Sequence, residues 1–140
     1  MNSTAGSVGP AARLGMRPGM VVHELGWDED ADQELRESVE DAIDGELVDE
    51  HDDVVDAVLL WWRNSDGDLV DALVDALTDL ADGGAIWLLT PKVGREGYVD
   101  ASDVAEAAPT AGLATTSSVP AGADWSATKL VAPKSRGSKR

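Results

Sequence analysis

Few side chains in this sequence have the types and spacing that covalent or metal chemistry requires. Cysteine is absent, which excludes disulfides, thiolate nucleophiles and cysteine-bound metals. The two histidines, His23 and His51, have no partner at the spacing of a metal site or a catalytic triad. Ser102 and Ser126 have no base near them in the sequence. We therefore predict no catalytic residue, no metal site and no cofactor, and an enzymatic role is the less favoured one.

Two runs of alternating polar residues are somewhat like a calcium loop: Asp28, Asp30 and Asp32, and then Asn64, Asp66 and Asp68. Neither run has the glycine at the sixth position and the glutamate at the twelfth that such a loop requires. Because the chain contains 27 acidic residues, chance explains both runs better than metal binding does.

The strongest charge feature is acidic. Residues 24–82 include 22 acidic and two basic side chains, and the formal net charge of the whole chain is −16. Such a body repels nucleic acids and anionic membranes, so neither is expected as a partner. Aspartates also recur at spacings of three and four residues along the second long predicted helix: Asp68, Asp71, Asp75, Asp79 and Asp82. This row is either a solvated face or a docking surface for a protein with a basic surface.

A second candidate site lies beyond the carboxyl ends of the predicted strands, where ligands of open α/β sheets bind. The side chains expected to converge on this rim are Trp27, Trp62, Arg63, Asn64, Thr90, Lys92 and Arg95. The basic residues of this rim, Arg63, Lys92 and Arg95, either bind a small anion or a partner's carboxylate, or merely offset local negative charge. Trp61 and Trp62 are adjacent on a strand and therefore point to opposite faces. Either both belong to the core, one under each helical layer, or Trp62 lines the crevice.

The elements that must position these side chains alternate between strand and helix. We predict neighbouring parallel strands at 20–25, 54–61 and 85–89, a brief edge strand at 46–49, and two further strands at 114–119 and 128–132. A first helix with an apolar stripe ends at Gly45, a second runs from Asp68 to about Ala81 and stops at Gly83-Gly84, and a third is capped by Ser102. This order predicts a small, doubly wound, mainly parallel α/β sheet with an antiparallel C-terminal strand pair.

The domain organisation follows from composition. Residues 1–12 are predicted to be a flexible arm, 13–132 a single α/β domain, and 133–140 a basic, disordered tail. No apolar run approaches the roughly 20 residues of a membrane helix. The first ten residues also lack the pattern of a secretory signal, so a cytoplasmic protein is expected.

The second half of the chain resembles the C-terminal half of a class I S-adenosylmethionine-dependent methyltransferase. The matching pieces are residues 53–62, Leu80-Ala81-Asp82-Gly83-Gly84, residues 85–89, Ala111-Gly112-Leu113 and residues 125–132. The resemblance implies a reduced Rossmann-like fold. Methyltransferases hold the cofactor with a glycine-rich turn after the first strand, where this chain has Gly26 alone, followed by Trp27 and three acids. We therefore predict that S-adenosylmethionine does not bind appreciably.

Residues 13–134 also resemble an uncharacterised family, one of the domain-of-unknown-function families, that is abundant in actinobacteria. The segments that carry this resemblance are residues 14–20, 58–63 and 85–92, together with Asp124-Trp125-Ser126 and Leu130-Val131. That family implies a fold but no activity. The favoured hypothesis is a non-catalytic binding or regulatory module that acts through the acidic helical surface or the rim pocket. The alternative is an enzyme or sensor that binds a nucleotide-like or anionic ligand at the sheet crevice.

Overall fold

The computed structural model describes residues 14–48, 54–78, 80–121 and 124–132, which build one sheet with helices on both of its faces. The strands are β1 (Val22–Leu25), β2 (Val55–Trp61), β3 (Leu80–Pro91), β4 (Ala114–Pro120) and β5 (Trp125–Val131). The helices are α1 (Gln33–Ile43), α2 (Leu69–Thr78) and α3 (Ala101–Thr110), and a short 3-10 turn, Asn64–Asp66, follows β2.

The strand order is β1-β2-β3-β5-β4. The pairings of β1 with β2 and of β2 with β3 are parallel, so the predicted set of three neighbouring parallel strands is confirmed. β5 lies between β3 and β4 and is antiparallel to both. The sheet is thus parallel in its N-terminal half and antiparallel in its C-terminal half.

The two faces of the sheet are covered by different helices, which confirms the doubly wound arrangement. α1 buries Leu35, Val39 and Ile43 on one face, whereas α2 and α3 pack on the other face through side chains that include Leu73 and Val104. β2 is buried on both sides because its run is almost wholly apolar. Trp61 and Trp62 are both buried and lie in opposite layers, as expected of adjacent strand residues, and Trp62 also lines a pocket at the strand ends.

The helix predicted from Asp68 to about Ala81 was too long. α2 ends at Thr78, and β3 already begins at Leu80, which pairs with Val55 of β2. Gly83 and Gly84, which we expected to stop the helix, lie inside β3. A Cβ atom on Gly84 would come within 2.7 Å of the Asp56 carbonyl oxygen, so this glycine permits a close approach of the two strands rather than a helix end.

This correction changes the predicted row of aspartates. Asp82 lies in β3 and therefore does not share a helix face with the others, and Asp79 lies outside the described residues. Asp68 precedes α2, and its Oδ1 accepts hydrogen bonds from the backbone N–H groups of Val70 and Asp71. The helical part of the row therefore consists of Asp71 and Asp75, both exposed, on a helix whose first turn is capped by Asp68.

Several element ends also differ from the predictions. Asp100 rather than Ser102 occupies the N-cap position of α3, because the helix starts at Ala101, two residues earlier than expected. α1 ends at Ile43, and its C-cap residue Asp44, one residue before Gly45, has a left-handed conformation (φ 57°). Of the predicted strand at 46–49, the structure shows a single parallel bridge between Val48 and His23, and residue 49 lies outside the described part.

The predicted terminal segments, residues 1–12 and 133–140, lie outside the described residues, and their boundaries stay predictions. Over the part of the chain that the structure describes, none of the helices has the length and apolarity to cross a bilayer.

Candidate functional site

Arg63 occupies the crevice where β1 and β2 end. Its side chain is only 11% exposed, and its guanidinium forms a bidentate ion pair with the carboxylate of Asp30 in the loop after β1. Nη1 also donates to the carbonyl oxygen of Gly26 at 2.7 Å and to that of Trp61 at 3.3 Å, and it lies 3.3 Å from the Asp66 carboxylate. One side chain therefore connects the ends of two strands to the loop in front of α1.

The electrostatics of this crevice keep both members of the pair charged. The hydrogen bond from Arg63 lowers the pKa of Asp30 below its ordinary value of 3.8. Burial by itself would lower the pKa of Arg63, but the hydrogen bonds and charges of Asp30 and Asp66 outweigh burial and raise it. The guanidinium thus remains protonated, and its Nε, Nη1 and Nη2 atoms all donate to protein oxygens.

The start of β5 closes the other side of this crevice. The guanidinium carbon of Arg63 lies 5.3 Å from the ring centre of Trp125, a cation–π contact. The indole N–H of Trp125 donates to the Asp30 carbonyl at 3.2 Å, and its ring meets that of Trp61 edge to face at 4.9 Å. The loop after β1 is therefore held by both Arg63 and Trp125.

Gly26, the single glycine after β1, is pressed against β2. Its φ is +78°, and a Cβ atom at this position would come within 2.3 Å of the Trp61 carbonyl oxygen. In glycine-rich cofactor turns the missing side chain makes room for a phosphate or a ligand. Here the missing side chain makes room for the neighbouring strand.

A buried carboxylate lies beneath this loop. Glu24 of β1 is 8% exposed and accepts hydrogen bonds from Nε (2.6 Å) and Nη2 (2.8 Å) of Arg36 on α1 and from the indole N–H of Trp61 (2.9 Å). Its hydrogen bond to Glu24 is the largest of the interactions that raise the pKa of Arg36. These contacts fix α1 against the ends of β1 and β2.

An open pocket adjoins the crevice on its helical side. The Trp27 pocket, about 380 Å³ in volume, is formed by residues from the end of β1, the end of β2 and α2: Leu25, Gly26, Trp27, Asp28, Leu60, Trp61, Trp62, Arg63, Asp66, Ala72 and Asp75. The Trp27 side chain is 52% exposed, and the guanidinium carbon of Arg36 lies 5.7 Å from its ring centre. Trp27, Trp62 and Arg63 of the predicted rim meet here, and Asp75 connects the pocket to the acidic face of α2.

A second opening, the Arg63 cleft, contains Arg63, Asn64 and Arg95 of the predicted rim and has a volume of about 620 Å³. It also contains five acidic side chains: Asp28, Asp30, Asp66, Glu96 and Asp124. Arg95 lies 3.3 Å from Asp124, and the amide of Asn64 donates to the Tyr98 carbonyl. Both arginines thus face protein carboxylates, an arrangement that disfavours an anionic ligand.

The remaining rim residues, Thr90 and Lys92, line a different pocket, under α3. The predicted rim is therefore divided among three openings rather than gathered in one. Thr90 lies on the face of β3 that α2 and α3 cover, and Lys92 follows the end of that strand. Among the described residues, no three histidine or acidic side chains are grouped as metal ligands.

Three residues central to this geometry were not among the predicted site residues: Glu24, Asp30 and Trp125. Glu24 had a detectable signal, since it shares the inward face of β1 with Val22, and a buried carboxylate requires a partner. Asp30 and Trp125 had no such signal in the sequence. Arg63 pairs with Asp30, 33 residues earlier in the chain, and contacts Trp125 of β5, so only the fold brings these residues together.

Comparison with known proteins agrees with this picture of the fold. A family described as a protein of unknown function, DUF3052, matches residues 11–134. Uncharacterised proteins of Mycobacterium tuberculosis and Mycobacterium bovis are 55% identical to the chain over 131 residues, which is 93% of this chain and 82% of theirs.

Several methyltransferases are among the solved structures similar to this one. The mitomycin 7-O-methyltransferase has a TM-score of 0.65 at 14% identity, over 93% of this chain and 54% of that one. The CcbJ methyltransferase of Streptomyces caelestis has a TM-score of 0.58 at 11% identity, over 91% and 89%. An S-adenosylmethionine-dependent methyltransferase of Aquifex aeolicus has a TM-score of 0.54 at 14% identity, over 93% and 94%. At these identities the likeness concerns the fold alone, which is the methyltransferase-like fold expected from the sequence.

Proposed function

The chain belongs to the DUF3052 family, and we propose that it is a non-catalytic module that binds a basic segment of another protein. The surface proposed for this role consists of Trp27 with its pocket and the adjoining aspartates Asp71 and Asp75 of α2. The observation that carries the proposal is the exposure of Trp27 beside carboxylates of Asp28, Asp66 and Asp75 in one pocket.

An exposed indole among carboxylates suits a cationic partner for two reasons. Tryptophan and arginine are the residues that most often dominate binding energy at protein interfaces. The face of an indole also attracts a guanidinium, and the guanidinium of Arg36 already lies over the Trp27 ring. The acids around it raise the association rate of a basic chain through long-range attraction.

The contacts that Arg63 and Gly26 make in the crevice support a binding role over an enzymatic one. Arg63 and its ion pair lie between the ends of β1 and β2, and the missing side chain of Gly26 faces the Trp61 carbonyl of the neighbouring strand rather than a ligand. The alternative function, binding of a nucleotide-like or anionic ligand at the crevice, would require these contacts to open.

The deciding experiment measures association of a synthetic peptide of alternating arginine and glycine against ionic strength. In the Asp71→Asn/Asp75→Asn variant we expect association at low salt to slow roughly threefold or more, with a flatter salt dependence. Trp27→Ala should mainly speed dissociation. The matched control, Asp41→Asn/Asp103→Asn, removes the same charge from exposed positions on α1 and α3 and should change the association rate much less.

Two results would contradict the proposal. Equal association rates in Asp71→Asn/Asp75→Asn and in its control would show that Asp71 and Asp75 form a solvated surface and not a docking surface. Loss of peptide binding in Lys92→Ala/Arg95→Ala, with Trp27→Ala unaffected, would move the site elsewhere. Calorimetry with S-adenosylmethionine tests the alternative, since micromolar affinity would favour a ligand-binding enzyme or sensor.

A further inference from the structure

A separate pocket lies between α3 and the C-terminal half of the sheet. We name it the hydroxyl pocket, after Thr90, Ser118, Ser126 and Thr128, which form part of its floor. It has no residue in common with the Trp27 pocket and shares only Pro91 and Tyr98 with the Arg63 cleft. Its volume of about 640 Å³ falls within the range of small-molecule sites, roughly 300–1,000 Å³.

The floor follows from the strand pattern. Ile86 and Leu88 of β3 point into the core under α2 and α3, and Thr90 continues the same face at the end of the strand. Thr90 lies opposite Ser126 of β5 in the pairing register. Farther along β5, the hydroxyl of Thr128 lies 3.4 Å from that of Ser118 on β4. The core face of the sheet thus changes from apolar to hydroxyl-bearing in the part that lines this pocket.

The pocket wall is apolar and comes from α3 and the segment before it. Val99 and Val104 are buried side chains that line the pocket, with Ala101 and Ala105 beside them. An apolar wall facing a floor of hydrogen-bonding groups is the usual construction of a small-molecule site. A ligand that fits it has one apolar face and one polar edge.

The Thr90 hydroxyl is the strongest sign that a ligand belongs here. Thr90 is 7% exposed and lines the pocket, and within the described residues its hydroxyl has no hydrogen-bond partner. Buried polar groups in native proteins are almost always paired, and an unpaired one lowers stability. A pocket-lining hydroxyl without a protein partner is a group that a ligand can satisfy.

The charge of the lining restricts the class of ligand. Although the chain has 27 acidic residues, none lines this pocket, and Lys92 is its single charged residue. A cation would find no carboxylate there, and an anion would have to enter the field of a chain with net charge −16. We infer that the hydroxyl pocket binds an uncharged small molecule with an apolar ring and a group that hydrogen-bonds to Thr90.

Three probes with the same phenol ring test this inference on the full chain. Methyl 4-hydroxybenzoate is uncharged, 4-hydroxybenzoate is an anion at neutral pH, and tyramine is a cation. In a titration followed by nuclear magnetic resonance, the uncharged ester should shift the amides of Thr90, Val104 and Thr128 to saturation. The two charged probes should bind at least about tenfold more weakly. Equal binding of a charged probe, shifts located elsewhere, or no saturation with the ester would overturn the inference.

Substitution of Thr90 by valine separates the hydroxyl from the shape of the pocket. Because Thr90→Val removes an unpaired buried hydroxyl, it should raise the melting temperature in the absence of probe. It should also weaken binding of the ester about fivefold, the effect of one neutral hydrogen bond. The control Thr78→Val makes the same change at an exposed hydroxyl bonded to the Val74 carbonyl, and it should leave ester affinity unchanged.

A lower melting temperature or unchanged ester affinity in Thr90→Val would refute the role of the hydroxyl. Ala105→Leu supplies a second test that leaves the sheet intact. Ala105 is exposed on α3 and lines the pocket, so a longer side chain should narrow the pocket and abolish ester binding. Undiminished binding in this variant would place the ester outside the pocket.

Discussion

Replacing Arg63 by methionine removes the contacts that hold the crevice closed while it keeps most of the side-chain volume. The guanidinium is 11% exposed and bonds to Asp30, to Asp66 and to the carbonyl oxygens of Gly26 and Trp61. If these contacts fix the ends of β1 and β2, their loss must appear in the free energy of unfolding.

The magnitude follows from the exposure of each partner. Asp30 is 55% exposed, so water replaces the guanidinium there, and this ion pair contributes at most about 1 kcal/mol. The bond to the Gly26 carbonyl involves a charged donor, and such bonds contribute about 1.5–3 kcal/mol. We therefore expect Arg63→Met to lower the free energy of unfolding by about 2–3 kcal/mol.

Urea unfolding followed by circular dichroism measures this loss. The matched variant Arg63→Lys keeps the positive charge but lacks the planar fork, so it should restore less than half of the lost stability. A loss below about 0.5 kcal/mol in Arg63→Met, the range of ordinary surface substitutions, would refute the argument that Arg63 fixes the crevice. Full recovery by lysine would show that charge, and not the fork, is what matters.

The pH dependence of the Arg63–Asp30 interaction has a defined direction. Because Arg63 lowers the pKa of folded Asp30 below 3.8, the carboxylate contributes stability that is complete above pH 3.8. That contribution disappears as the pH falls through the lower, folded pKa. The stability difference between native chain and Asp30→Asn should therefore stay constant down to about pH 4 and shrink below it; a difference that shrinks near neutral pH would contradict the assignment.

Two further substitutions test the packing beneath the site. Arg36→Met leaves the buried Glu24 carboxylate without its main partner and should lower the free energy of unfolding, measured in urea, by about 3–5 kcal/mol. The double variant Glu24→Leu/Arg36→Met should recover most of that free energy. Equal losses in the two variants would refute the pairing of Glu24 with Arg36. Gly26→Ala places a Cβ atom against the Trp61 carbonyl at positive φ and should lower the melting temperature by at least about 5 °C, while an unchanged melting temperature would show that the loop shifts freely.

The order and faces of the central strands could be predicted because their information is local. The apolar run that forms β2 is long enough for one strand, with acidic residues before it and a polar turn after it, which is typical of a strand buried on both sides. Trp61 and Trp62 could be assigned to opposite layers from adjacency alone. Periodicity also predicted an apolar stripe on the first helix, and in the structure Leu35, Val39 and Ile43 form this buried face of α1.

The end of α2 could not be predicted, because non-local pairing determines it. Leu80 continues the apolar stripe of the helix, and Gly83-Gly84 has the composition of a helix stop. In the structure, Leu80 instead pairs with Val55, and Gly84 fits against the Asp56 carbonyl. Hydrogen bonds to a strand more than 20 residues earlier in the chain outweigh the local pattern.

The candidate site was only partly predictable for the same reason. Positions beyond strand ends could be named from the order of elements, and Arg63 and Trp27 were among them. Their surroundings depend on the direction of each side chain across the sheet. Thr90 therefore lines a pocket under α3, and Arg63 pairs with Asp30 instead of facing an open anion site.

The distribution of indoles between surface and core provides this protein with an internal optical label. Of its five tryptophans, Trp27 is 52% exposed, whereas Trp61, Trp62, Trp87 and Trp125 are at most 8% exposed, and the chain has no phenylalanine and one tyrosine. A collisional quencher such as acrylamide will therefore reach essentially one emitter. Protection of that emission on addition of a peptide reports occupancy of the Trp27 pocket directly, without a dye, a tag or an added chromophore.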